Sequence, residues 1–195
     1  GISLFLIPKY LPNASGEITE RNGVKVSGLE EKMGLHGSPT AVMDYKKAKG
    51  WLVGKPNQGM KTMFTMMNNA RLGVAVQGLS QAERALQKAV RHSKERKQGR
   101  SQIENSLGTI IDHADVRKNL LIMKALTSIS RSLCLDTAIS IDLAKESGSS
   151  FLSNRAAFLI PIAKAFSTDN GCRVSDVGIQ VHGGLGFIES SGVPQ

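Results

Sequence analysis

The chain has 195 residues, enough to bury a core, and its 41% apolar and 21% charged content is a globular composition that excludes a disordered chain. Two cysteines, Cys134 and Cys172, lie outside any CxxC or Cys/His neighbourhood, which excludes a disulfide framework and a zinc site and points to a reducing, cytoplasmic compartment. Twenty-five basic side chains against 16 acidic ones leave a net charge of +9, which directs attention to anionic partners such as nucleotide phosphate, nucleic acid or a membrane surface.

Residues 1–58 read as β structure. Ile2 to Ile7 is a short apolar run ended by Pro8, Gly23 to Ser27 alternates, and Thr40 to Tyr45 is a third strand candidate. Turn residues separate them, at Pro12 to Gly16 and at Gly34 to Pro39. The segment from Trp51 to Gly54 is read as the exit from this region. So few strands make a poor independent sheet, and a small, partial β-domain is expected.

After residue 58 the period changes to that of a helix. Met63, Met67, Ala70, Val74, Ala82, Leu86 and Ala89 recur at helical spacing in a first helix ending near Lys94. A second is expected from Gln102 to Lys145, with Leu107, Ile110, Ala114, Leu121, Ala125, Ile129 and Leu133 on its apolar face and Gly148 as its stop. Ser149 or Ser150 can cap a third helix from Phe151 to Thr168, and Asn170 to Gln180 reads as a fourth. The expected fold is therefore mainly α, with an antiparallel four-helix bundle over residues 59–195. No stretch approaches the roughly 18 apolar residues of a membrane span, no leader peptide opens the chain, and the protein is expected to be soluble. Gly1 stands where a methionine would begin a complete protein, so the chain is expected to be a piece of a longer one.

Two segments carry candidate chemistry. Arg84 to Arg100 holds seven Lys or Arg against one acid, Glu95. Much of it is a solvated helix stripe, but Glu95-Arg96-Lys97-Gln98-Gly99-Arg100 suits a phosphate site, because guanidinium donors fork onto a pyrophosphate and Gly99 lets the chain turn. Aromatic residues are absent from 65 to 150, so base stacking, and with it nucleic acid, is disfavoured. The second segment is Gln180 to Glu189, where Gly183, Gly184 and Gly186 permit close backbone approach to a flat or phosphorylated ligand and Glu189 follows on the loop. His36, His92, His113 and His182 are scattered and read as solvated or capping residues, with no metal site. Met60, Met63, Met66 and Met67 read as core packing.

Glu31 to Thr40, Gly50 to Gly54 with Pro56 to Met60, Met66 to Arg71, Glu95 to Arg100, Pro161 to Phe166 and Gln180 to Phe187 resemble, in order, the acyl-CoA dehydrogenase family. The resemblance implies that residues 1–58 are the end of a middle β-domain and residues 59–195 a truncated C-terminal four-helix bundle that also builds a homodimer or tetramer. It implies FAD as cofactor, an acyl-CoA thioester as substrate, α,β-dehydrogenation, and an electron-transfer flavoprotein or similar acceptor, in the cytoplasm or, in a eukaryote, the mitochondrial matrix. Residue by residue, Glu189 would be the base, and Arg96 and Gln98 would meet the diphosphate of a neighbouring subunit's flavin. Gln180, Gly183 and Gly184 would lie beside the adenosine, and Arg71 would line the substrate. The piece alone is expected to be silent. The rival reading, a basic DNA-binding or non-catalytic relative on the same scaffold, rests on the net charge.

Overall fold

The computed structural model describes residues 1–194, which divide into two units, Gly1–Met66 and Met67 onward. In the first, three antiparallel strand pairs form: β1 (Leu4–Leu6) with β6 (Trp51–Val53), β2 (Tyr10–Pro12) with β3 (Ile18–Arg21), and β4 (Val24–Leu29) with β5 (Ala41–Tyr45). The Trp51 segment, expected to be an exit, is thus a strand that returns to pair with the first one. The Pro12–Gly16 turn closes a hairpin, because the Asn13 Oδ1 accepts from the backbone N–H groups of Ser15 and Glu17 at 3.0 and 2.9 Å.

Asn22 ties these pieces together. It is 5% exposed and uses its whole hydrogen-bonding capacity: Nδ2 donates to Pro8 O and Lys49 O at 2.9 and 2.7 Å, and Oδ1 accepts from Lys49 N and Gly23 N, each at 2.9 Å. Gly23 beside it has no alternative, since a Cβ there would lie 1.9 Å from Lys46 O. Apolar burial is slight, with Leu11 and Val24 inside and Phe5, Ile18, Leu29 and Trp51 exposed.

The second unit is built on three long helices: the continuation of α1 (Gly59–Glu95), α2 (Ala114–Ser147) and α3 (Ser150–His182). Ala75, Leu79, Ala82, Leu86 and Ala89 of α1 alternate at steps of four and three, and α2 and α3 repeat this with Leu120, Met123 and Cys134, and with Ala156, Ile160, Ala163, Val174 and Val181. That spacing keeps one seam of each helix on its neighbours across the middle of the unit. The partners fix the directions: Cys134 packs with Ala75 and Leu79, and Met123 with Ala82 to Ala89, so α2 runs against α1, and Arg155 reaching Asp136 sets α3 against α2.

Four expectations differ from the structure. The third and fourth helices are one continuous α3, because Asn170, read as a boundary, turns its Nδ2 back to Phe166 O at 2.9 Å, and Gly171 is packed against Gly78 rather than ending the helix. The second helix starts at Ala114 and not at Gln102, because Gly99, Asn105 and Gly108 all hold positive φ, which a helix cannot contain. The expected apolar face of α2 is rotated: Leu121, Ala125 and Ile129 are exposed, while Thr127, Ser130, Thr137 and Ser140 are buried. Small hydroxyl side chains fit a close helix approach, and Thr137 and Ser140 return their O–H to the carbonyls of Leu133 and Asp136 at 2.7 and 2.8 Å. The methionines likewise are not a buried stripe, since Met60 and Met66 are exposed.

Candidate functional site at the end of the helical unit

The last turn of α1 does not simply stop. Arg96 N–H donates to His92 O at 2.8 Å, the chain reverses through Gly99 at φ +75°, and Ile110 N–H returns to Arg96 O at 2.8 Å, with Lys97 bridging Thr109. His113 then locks the loop from outside by donating its Nε2–H to Gln98 O at 2.8 Å, with its ring 3.3 Å from where a Gly99 Cβ would stand. The basic motif is therefore a fixed turn.

Opposite it, α3 ends at His182, and Gly183 takes φ 59° and ψ −136°, an unfavourable conformation for any residue with a Cβ. The next turn of chain, Gly183–Phe187, is a single 3-10 turn. Its glycines answer to different constraints. Gly186 is buried, and a Cβ there would strike Ile179 O at 2.5 Å, so packing requires it. Gly184 has neither a positive φ nor any atom within 4 Å of an added Cβ, so its backbone lies open to the space in front of it.

That space is a cavity of about 740 Å³ lined by Arg96, Gln98, Gly99, His92, His113, Asp115, Gln180, His182, Gly183 and Gly184, among others. The five expected cofactor residues, Arg96, Gln98, Gln180, Gly183 and Gly184, are thus brought to one place from the C-terminal ends of α1 and α3. Two expected residues do not line it. Arg71 is half-buried on α1, where its Nη1 donates to Asn68 Oδ1 at 3.3 Å. Glu189 is exposed and opens a separate 3-10 turn, Glu189–Ser191, whose end is held to α1 by Lys88 Nζ donating to Gly192 O at 2.5 Å.

The histidines were not legible as a group. His92 and His182 stack with ring centroids 4.5 Å apart and planes 23° apart, and His182 Nδ1–H donates to Gly178 O at 2.7 Å. Burial first, then the neighbouring His182 and Arg96, hold His92 below the ordinary histidine value, while Glu95 pulls the other way. Each of the pair lies one turn or one residue from a motif, His92 before Arg96 and His182 before Gly183, and that adjacency is the signal that could have found them. Among the described residues no group of three His, Cys, Asp or Glu could hold a metal, and no helix is long and apolar enough to cross a membrane.

Long helices of alternating direction, with a glycine-edged cavity that carries Arg96 at the ends of α1 and α3, define a helical domain with room for a small-molecule ligand. Residues 57–195 match the family model described as "Acyl-CoA dehydrogenase, C-terminal domain", and the chain belongs to the acyl-CoA dehydrogenase family. It is 44% identical over 201 residues to the 3-methylmercaptopropionyl-CoA dehydrogenase of Ruegeria pomeroyi, an alignment that covers 100% of this chain and 34% of that protein. Butyryl-CoA dehydrogenase of Megasphaera elsdenii has a similar structure, with a TM-score of 0.71 at 26% identity over 96% of this chain and 47% of that one. ACDH-11 of Caenorhabditis elegans, solved in complex with C11-CoA, shares the fold with a TM-score of 0.81 at 24% identity, over 98% of this chain and 30% of its own. The chain thus spans about a third of the length of the curated relative it matches at 44% identity.

Proposed function

We propose that this chain is the part of a flavin-dependent acyl-CoA dehydrogenase that receives the dinucleotide end of FAD, with residues 1–58 the end of a β-domain and residues 59–195 a truncated C-terminal bundle. The carrying observation is the convergence of Arg96, Gln98, Gln180, Gly183 and Gly184 on one cavity. The donor set fits the group. A guanidinium matches a diphosphate in charge and shape, the Gln98 and Gln180 amides can meet sugar or base, and the open Gly184 backbone leaves room that a Cβ would fill. The cavity volume also lies within the ordinary range for small-molecule sites.

When bound, FAD supplies the acceptor for a hydride from the β-carbon of the acyl thioester. This chain's own part is to hold and orient. Arg96 and Gln98 hold the diphosphate of a neighbouring subunit's flavin, and Gln180, Gly183 and Gly184 pack beside its adenosine. Arg71 faces the acyl-CoA, and Glu189 removes the α-proton, both assignments resting on the resemblance alone. An electron-transfer flavoprotein or similar acceptor would take the electrons. The exposed apolar stripe Leu135, Ile139 and Leu143 on α2, with Phe151 and Phe158 on α3, supports assembly as a dimer or tetramer.

The whole protein should carry flavin, and anaerobic addition of an acyl-CoA should bleach its visible absorbance; a protein that binds no flavin contradicts the reading. Glu189→Gln in that protein should abolish turnover and spare flavin binding, whereas unchanged turnover would discard Glu189 as the base. The 195-residue chain by itself should not retain flavin stoichiometrically.

A further inference from the structure

The cavity that receives the dinucleotide in this reading has an electrostatic difficulty. It opens at the C-terminal ends of two helices, with His92 in the last turn of α1 and His182 the last residue of α3. Helix C-termini present carbonyl oxygens and the negative end of the macrodipole, which repel an anion. The N-terminal end of α2 also lines the cavity and favours an anion, but Asp115 in the first turn of that helix offsets this, and Arg96 is the permanent cation in the lining. A diphosphate diester carries two negative charges, so Arg96 alone leaves the site short of positive charge.

We propose that His92, supported by the stacked His182, is part of the anion-binding set of this cavity and takes up a proton when a diphosphate enters, so that binding is proton-linked. The proton comes from solvent and goes to an imidazole nitrogen of His92; no other bond forms or breaks. The groups that set this equilibrium are those facing the ring from each element. Glu95 at the end of α1, Arg96 just after it and His182 at the end of α3 act on His92, and His113 and Asp115 share the cavity lining from the turn before α2 and from α2 itself. His182 is fixed in place by its hydrogen bond to the carbonyl of Gly178, a buried glycine, so the stack is a built feature and not a chance of two mobile rings. In the ligand-free site burial first, then His182 and Arg96, hold His92 below the ordinary histidine value, while the helix ends and the incoming anion favour its charged form.

The sign follows directly. A group that is protonated more in the complex than in the free protein strengthens binding as pH falls, by up to about tenfold per pH unit for one proton. The inference rests on the reading of this cavity as the FAD site, and FAD is a suitable probe because its diphosphate diester does not titrate near neutrality. Whole protein stripped of flavin is titrated with FAD by calorimetry at pH 6 and pH 8, in two buffers of different ionisation enthalpy. The expected result is about tenfold tighter binding at pH 6, with proton uptake that is lost in His92→Gln. His182→Gln, which removes a neighbour opposing protonation, should keep the uptake and move it to higher pH. FAD binding with the same proton uptake in wild type and His92→Gln overturns the inference and leaves the function standing. No binding of FAD at either pH overturns both.

Discussion

Arg96 illustrates why a single residue at the end of α1 matters more than the rest of the basic stripe around it. Its backbone is fixed at both ends, by His92 O and by Ile110 N–H, so its guanidinium is presented at the cavity without the loop having to order on binding. A charge-assisted hydrogen bond is worth about 1.5–3 kcal/mol. Arg96→Gln in the whole protein should therefore weaken FAD binding about tenfold to a hundredfold, as read by equilibrium dialysis, and leave the thermal midpoint of the flavin-free protein unchanged. Asn22 makes the complementary case in the β unit. Removing its four hydrogen bonds strands the carbonyls of Pro8 and Lys49 and two N–H groups in a 5% exposed position. Asn22→Ala should cost about 2–3 kcal/mol in urea denaturation of the whole protein, without altering FAD affinity of the remaining folded molecules.

Among elements, the crossing of α1 and α3 is set by two glycines. A Cβ on Gly78 would lie 2.5 Å from Ser167 O, and one on Gly171 would lie 2.8 Å from Gly78 O. Alanine is the better helix former by about 1 kcal/mol, but the clash is with backbone, and a helix must shift to relieve it. Gly78→Ala should destabilise by about 2 kcal/mol net and lower the urea midpoint. The same closeness explains what the sequence did and did not disclose. The change of period near Gly59, the Gly148 stop and the Ser149 cap were all readable from local chemistry; Ser149 Oγ does accept from Leu152 N–H, and Gly148 holds φ 65°. The buried face of α2 was not, because Thr127, Ser130 and Thr137 look polar along the chain and become interior only where small residues let helices approach. The run through residues 168–170 was likewise misread, since the bond from Asn170 to Phe166 that keeps the helix going is invisible in composition. At the site, glycine and basic motifs were legible as separate segments. Their meeting, and the histidine stack between them, depend on α1 and α3 running in the same direction, which only packing decides.

For the whole molecule, the net charge of +9 and the exposed apolar stripe pull different ways, one discouraging self-association and the other favouring it. In the proposed dimer or tetramer, burying Leu135, Ile139 and Leu143 would stabilise association, while salt screens the dispersed surface charge that opposes it. Ile139→Asp, at a position 55% exposed within one chain, should leave helix content unchanged and lower the oligomer mass measured by light scattering. The central claim, that the cavity between Arg96 and Gly184 receives the dinucleotide of FAD, is tested most directly at Gly184. No neighbouring atom forbids a side chain there, so folding does not require glycine, and only an approaching ligand would. In Gly184→Val of the whole protein, the expected result is a urea midpoint equal to wild type when both are stripped of flavin, and FAD affinity reduced at least about tenfold, a loss of some 1.4 kcal/mol. Unchanged FAD affinity in a stably folded Gly184→Val protein would contradict it.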